Sequence, residues 1–147
     1  IELKKKARII DVPDDAETPI QSAERALQEL KPSFDAWLKE LIAHLREESK
    51  KVERGELAPL SKTPLFRAAF DLQGQAATYG FPSIGRVAEM LCDYLYGQAS
   101  LTANGIAVTY QCVESISAML REDVHTVDDP TAAALIEMLG VFISQKS

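Results

Sequence analysis

Residues 65–82, which read LFRAAFDLQGQAATYGFP, decide the fold. Placed on a helix at about 100° per residue, they form one apolar stripe that is typical of a core face: Leu65, Ala68, Leu72, Ala76 and Tyr79. The opposite face should be polar, but it carries two aromatic and two small residues: Phe66, Phe70, Gly74 and Ala77. A glycine within a helix costs about 1 kcal/mol of stability. This second face therefore indicates a docking surface.

A long first helix is predicted before this stretch. Thr18-Pro19 is a start signal and Gly55 a stop signal, after which residues 56–62 form a linker. One face stays apolar along the helix: Leu27, Leu30, Phe34, Trp37, Leu38, Leu41, Leu45 and Val52. Trp37 repeats at helical spacing and is expected in the core. Pro32 removes a backbone hydrogen bond, so we expect a kink or a break there.

The stretch itself belongs to helix two, which begins at Thr63-Pro64 and runs to Tyr79. Three more helices are predicted after it. Helix three covers about 83–97 with Ser83 as its cap. Helix four covers about 103–124, and its expected buried side is Ile106, Tyr110, Val113, Ile116, Ser117 and Leu120. Asp128-Asp129-Pro130 opens helix five, at about 130–144. Long amphipathic helices with short links predict an all-α, antiparallel bundle over residues 19–147, after an extended or disordered tail at residues 1–18.

Composition excludes several functional classes. The 147 residues suit one domain, and 16 basic against 22 acidic side chains argue against nucleic-acid binding. Cys92 and Cys112 lie in apolar helical stretches, which is typical of reduced core thiols in a cytoplasmic protein. No apolar run is long enough for a membrane span, and no signal-peptide pattern is present. Two histidines and two cysteines lack metal-ligand spacing, so we expect no metal and no cofactor.

The same stretch resembles the signature of histidine phosphotransfer (HPt) domains of two-component phosphorelays, and is most similar to an α-proteobacterial branch. The matching residues are Ala69, Asp71, Leu72, Gly74, Gln75, Ala76, Tyr79, Gly80, Phe81 and Pro82. Phe70 stands where the family has its phosphorylated histidine, and Gln73 where it has a lysine. In this branch another histidine appears early in helix four, where this chain has Cys112. The resemblance implies a four-helix bundle of HPt type with extra helical segments.

The two departures remove the chemistry of the family. A phosphorelay needs an imidazole nucleophile and nearby groups that stabilise the phosphoryl charge. Phe70 has no nucleophile and Gln73 has no charge, so we expect a non-enzymatic module that binds a response-regulator receiver domain or a histidine kinase without transferring phosphate. The expected contact residues are Phe66, Arg67, Phe70, Asp71, Gln73, Gly74 and Ala77.

Two alternatives stay open from the sequence. One is a structural bundle that associates with itself through an apolar face. The other is an active phosphotransfer protein that uses His44 or His125. His44 is followed by Glu47 and Glu48, and His125 by Asp128 and Asp129. Carboxylates at those positions repel a phosphoryl group, which disfavours the second alternative.

Overall fold

Helices make up most of the computed structural model, which describes residues 18–51 and 59–146. The α-helices of these two ranges are α1 (Pro19–Lys51), α2 (Pro64–Ala76), α3 (Pro82–Tyr96), α4 (Ala103–Arg121) and α5 (Pro130–Lys146). One turn of 3-10 helix, Leu60–Lys62, precedes α2. The described ranges contain no strand, so the predicted all-α class is confirmed. The antiparallel order of a four-helix bundle stays a prediction.

Contacts divide the chain into two units, Ile1–Pro32 and Ser33–Ser147, and the division lies within α1. In the first unit the structure describes residues 18–32. The predicted tail lies outside the described residues except for Thr18, as do Val52, the stop signal Gly55 and linker residues 56–58. The predicted domain limits at residues 1–18 and 19–147 stay predictions.

Prolines begin helices, as the sequence indicated for Pro19, Pro64 and Pro130. Pro19, Pro64, Pro82 and Pro130 each occupy the first position of a helix, where a missing N–H costs nothing and the fixed φ angle suits the first turn. The Thr63 hydroxyl accepts a hydrogen bond from the Phe66 N–H at 3.3 Å. α1 continues through Pro32, so the expected break is absent.

Ser83 does not cap α3, and that prediction is wrong. Phe81 is the capping residue and makes no side-chain cap bond. The Ser83 hydroxyl instead donates to the carbonyl oxygen of Val124 at 2.6 Å, in a fully buried position. Its backbone N–H donates to the carbonyl oxygen of His125 at 2.9 Å. Ser83 therefore ties the start of α3 to the segment after α4, because its side chain faces inward.

The predicted core stripe of α2 is confirmed. Leu65, Ala68, Leu72 and Ala76 are buried, and Tyr79 is half-buried just beyond the helix. Burying one leucine side chain contributes about 1.5–3 kcal/mol. α3 approaches this face closely, since a Cβ at Gly85 would lie 3.5 Å from the backbone oxygen of Gln73. In the second unit, α2 and α3 therefore pack directly against each other.

The predicted face of α1 is confirmed only in part. Leu38 and Leu45 are buried as predicted, and Phe34 and Leu41 are half-buried. Ile42 is buried beside them, whereas Leu27 and Leu30 are exposed. Trp37 is 46% exposed, so its assignment to the core is wrong. The indole packs at the surface, with ring centroids 5.9 Å from Phe34 and 5.7 Å from Tyr79. Periodicity predicted one stripe along the whole helix, whereas the buried apolar residues of α1 lie only between Leu38 and Leu45.

α4 shows the same kind of difference. Ile106 and Tyr110 were expected to be buried but are exposed, while Val113 and Ile116 are buried as expected. The other fully buried apolar side chains of this helix are Val108, Cys112 and Met119. α4 packs against both α3 and α5, so its buried face is wider than a single stripe.

Candidate functional site

The α2 aromatic face consists of Phe66, Phe70, Gly74 and Ala77. Phe70 is 54% exposed, Gly74 and Ala77 are exposed, and Phe66 is half-buried. The Phe66 and Phe70 rings are stacked, with centroids 6.1 Å apart and an interplanar angle of 21°. A solvent-facing aromatic pair of this kind is typical of binding surfaces.

Tyr96 extends this face, and sequence reasoning missed it. It is the last residue of α3, is 72% exposed, and its ring centroid lies 6.3 Å from that of Phe66. The signal in the sequence was its place directly after Leu95. Leu95 is fully buried, and the next position on a helix points about 100° away from it. Two exposed rings, Phe70 and Tyr96, therefore flank the half-buried Phe66 ring.

Basic side chains border a shallow pocket at the end of this surface. The pocket has a volume of about 320 Å³ and is lined by Ser61, Lys62, Thr63, Phe66, Arg67 and Phe70. Arg67 Nε lies 3.2 Å from Asp71 Oδ1, and Arg67 is largely exposed while Asp71 is half-buried. Lys62 is exposed and was not among the predicted contact residues. The pocket rim thus offers two cations beside an aromatic ring.

Gly74 has open space around it. A Cβ at this position would have no heavy atom of the described chain within 4 Å, so close packing inside the protein does not require a glycine. Asp71 and Gln73, on either side of the exposed face, are half-buried. The predicted contact residues Phe66, Arg67, Phe70, Asp71, Gln73, Gly74 and Ala77 all lie at or next to one surface of α2.

His125 has a structural position. Its Nδ1 lies 2.6 Å from the carbonyl oxygen of Gly80, and its Nε2 lies 2.7 Å from Asp123 Oδ1. The imidazole also stacks on the buried Phe81 ring at a centroid distance of 3.9 Å. Both ring nitrogens face oxygen acceptors within the chain. The acidic side chain that contacts the imidazole is Asp123, which the sequence analysis did not name.

His44 and its two acidic neighbours differ in exposure. His44 and Glu47 are exposed on α1. Glu48 is only 8% exposed, and its Oε1 lies 3.3 Å from Lys51 Nζ. Glu48 is buried because it follows Leu45 on the core side of the helix.

Both cysteines are core thiols, as the sequence indicated. Cys92 and Cys112 are buried and free. Burial raises the pKa of both thiols to about 12, and the nearby charges of Asp93 and Glu89 add to the effect at Cys92. Protonated, buried thiols are poor nucleophiles and poor metal ligands. Within the described residues, no group of three or more histidine, cysteine or acidic side chains is arranged to hold a metal ion.

Most residues that carry the HPt resemblance have roles in folding. Ala69, Leu72, Ala76 and Phe81 are buried. Gly80 has a φ angle of +91°, which L side chains rarely adopt, and Pro82 begins α3. The remaining matches at the surface are Asp71, Gly74, Gln75 and the half-buried Tyr79.

No family model, curated protein or solved structure matches the chain. The resemblance to HPt domains therefore rests on residues 66–82 themselves. None of the helices in the described ranges is long and apolar enough to cross a bilayer.

Proposed function

We propose that the chain is a non-catalytic, HPt-like binding module of bacterial two-component signalling. It docks a response-regulator receiver domain, or a kinase module, through the α2 aromatic face and does not transfer phosphate. The observation that carries this proposal is the exposed Phe70 ring, stacked on the half-buried Phe66 and next to an open Gly74.

The surface has the chemistry that a receiver domain would need. The phosphoacceptor pocket of a receiver is acidic, and Lys62 and Arg67 border the pocket next to Phe70. Phe66, Phe70 and Tyr96 supply apolar area that can be desolvated at the centre of an interface. Gly74 leaves room for the loops of a partner, since no side chain projects there.

The same geometry supports binding without phosphoryl transfer. Phe70 occupies the position of the family's nucleophile, and a phenyl ring cannot attack phosphorus. Gln73 provides no positive charge to the phosphoryl oxygens. His125 is held by Gly80 and Asp123, so its nitrogens are already engaged. Such a protein would sequester a response regulator or compete with an active HPt protein for it.

A binding experiment tests the proposal. Purified receiver domains from the source organism, with and without beryllofluoride, are titrated with the full chain by isothermal calorimetry. Phe70→Ala should weaken binding by about 1–3 kcal/mol if the ring is an interface anchor. Gly74→Arg should weaken binding too, because its side chain fills the open space, and thermal stability should hold or rise since arginine favours helix.

Matched controls exist on other helices. Tyr110→Ala removes a ring that is 56% exposed on α4, which closely matches the exposure of Phe70. Gly140→Arg adds the same side chain to another helical glycine that has nothing within 4 Å of a Cβ. Both controls should keep the affinity of the unmodified chain. Equal affinity in all four variants, or no receiver domain that binds, would overturn the proposal.

A further inference from the structure

The start of α1 carries an apolar stripe that the described chain leaves uncovered. Every residue from Thr18 to Leu30 is exposed, including Ile20 at 71%, Leu27 at 60% and Leu30 at 45%. Apolar side chains in a helix normally stabilise it by packing against another element. Here the described residues supply no such element for these three.

Local interactions alone give this segment little support. Thr18 and Gln21 cap the helix reciprocally, with each backbone N–H donating to the other side chain, at 2.9 and 3.1 Å. Arg25 and Glu29 form one exposed ion pair at 3.6 Å. A cap contributes about 1 kcal/mol and an exposed pair about 0.3–0.5 kcal/mol. The segment is the unpacked start of a helix of 33 residues, so a partner surface would add the packing that its own residues do not supply.

The spacing of the stripe indicates what that surface is. Ile20, Ala23, Leu27 and Leu30 are separated by three, four and three residues, which is the a/d pattern of a coiled coil. The outward positions are polar: Gln21, Ser22, Arg25, Gln28 and Glu29. A narrow apolar seam between polar flanks fits one other helix better than it fits a broad apolar groove.

We propose that this seam pairs with the same segment of a second copy, in antiparallel orientation. Charge selects the register. Glu24 and Lys31 occupy the e positions that flank the seam, and in an antiparallel pair e faces e. When Leu27 of one copy faces Leu30 of the other, each Glu24 lies opposite the Lys31 of the other copy.

The competing arrangements lack this complementarity. A shift by one heptad in either direction places Glu24 opposite Glu24, or Lys31 opposite Lys31, and like charges repel. In a parallel pair the e positions face g positions, and the g positions here are uncharged Ala26 and Ser33.

Sedimentation velocity of the full chain over a range of concentrations tests the pairing. The seam is short, so we expect a reversible equilibrium between monomer and dimer. Leu27→Glu with Leu30→Glu should give a monomer with unchanged helical content, since both side chains are exposed within one chain. Ser22→Glu with Gln28→Glu adds the same charge on the outer face and should leave the dimer intact. A chain that is monomeric at every concentration, or a dimer unaffected by the seam variant, would overturn the proposal.

A charge exchange tests the orientation and the register. Glu24→Lys turns both attractive pairs into repulsive ones and should raise the dissociation constant about tenfold, which equals about 1.4 kcal/mol. The double variant Glu24→Lys with Lys31→Glu restores opposite charges in the antiparallel register, so it should recover the original affinity. A double variant as weak as the single one would refute this register. The α2 aromatic face shares no residue with the seam, so the monomeric variant should still bind a receiver domain.

Discussion

His125 contacts the turn between α2 and α3, with its Nδ1 2.6 Å from the carbonyl oxygen of Gly80. Forty-five positions separate these residues in the sequence. The turn also contains Phe81, whose buried ring stacks on the imidazole. One histidine therefore joins the segment after α4 to the turn that positions the end of α2.

His125→Ala should lower the free energy of unfolding by about 1–3 kcal/mol. The change removes a stacked ring, which contributes about 0.5–1.5 kcal/mol, and a hydrogen bond from the ring N–H, which contributes a similar amount. Urea denaturation followed by circular dichroism measures the effect. His44→Ala is the matched control, because His44 is exposed on α1 and should change stability by less than about 0.5 kcal/mol. Equal effects of the two changes would contradict a structural role for His125.

The sequence predicted the elements of this fold better than their orientation. Thr63, Pro64 and the spacing of Leu65 to Leu72 define α2 and its core face, because caps and periodicity are local properties. The buried side of α4 depends on which helices flank it, so Ile106 and Tyr110 were placed wrongly. Trp37 fits the apolar repeat of α1, but the aromatic contacts with Phe34 and Tyr79 lie at the surface.

The residues of the candidate site could likewise be predicted only in part from the sequence. The α2 aromatic face follows from helical geometry within one element, so Phe66, Phe70 and Gly74 could be named from the sequence. Tyr96 and Lys62 join the face from other elements, and only tertiary packing brings them there. His125 likewise gained its partner from a distant turn, which no local pattern indicates.

Glycine substitutions should have opposite effects at Gly74 and Gly80. Gly74→Ala should raise the free energy of unfolding by up to about 1 kcal/mol, since alanine favours helix and a Cβ there meets nothing. Gly80→Ala should lower it by about 1–2 kcal/mol, because the φ angle of +91° strains any L side chain. Thermal denaturation of both variants checks the signs. A loss of stability in Gly74→Ala would show that this glycine serves the fold and not an interface.

The two thiols should be unreactive in the folded protein. With the pKa of Cys92 and Cys112 raised to about 12, both are protonated at pH 8 as well as buried. A chromogenic disulfide reagent should therefore label them slowly in buffer and rapidly in urea. Fast labelling of either thiol in the native protein, at a rate near that in urea, would contradict the buried positions.

The same pKa values predict a loss of stability in alkali. Burial in the folded state raises the pKa of each thiol from its ordinary value of 9.0, so folding favours the protonated form. This contribution is fully present below about pH 9 and is lost as the pH rises toward 12. The alkaline decline in the free energy of unfolding should be shallower in a variant with Cys92→Ala and Cys112→Ala. An identical slope in both proteins would contradict the pKa shift.

Rebuilding the missing chemistry tests whether the α2 aromatic face still presents an HPt-like surface. Phe70→His places an imidazole where a side chain is already 54% exposed, and Gln73→Lys adds a cation about one turn away. The double variant should accept a phosphoryl group from the aspartyl phosphate of a receiver domain, giving an acid-labile, base-stable label at residue 70. The unmodified chain should accept none. Phe70→Gln with Gln73→Lys keeps the cation without a nucleophile and should also stay unlabelled. A folded double variant that binds the receiver but gains no label would mean that the surface docks its partner in a geometry unlike phosphotransfer.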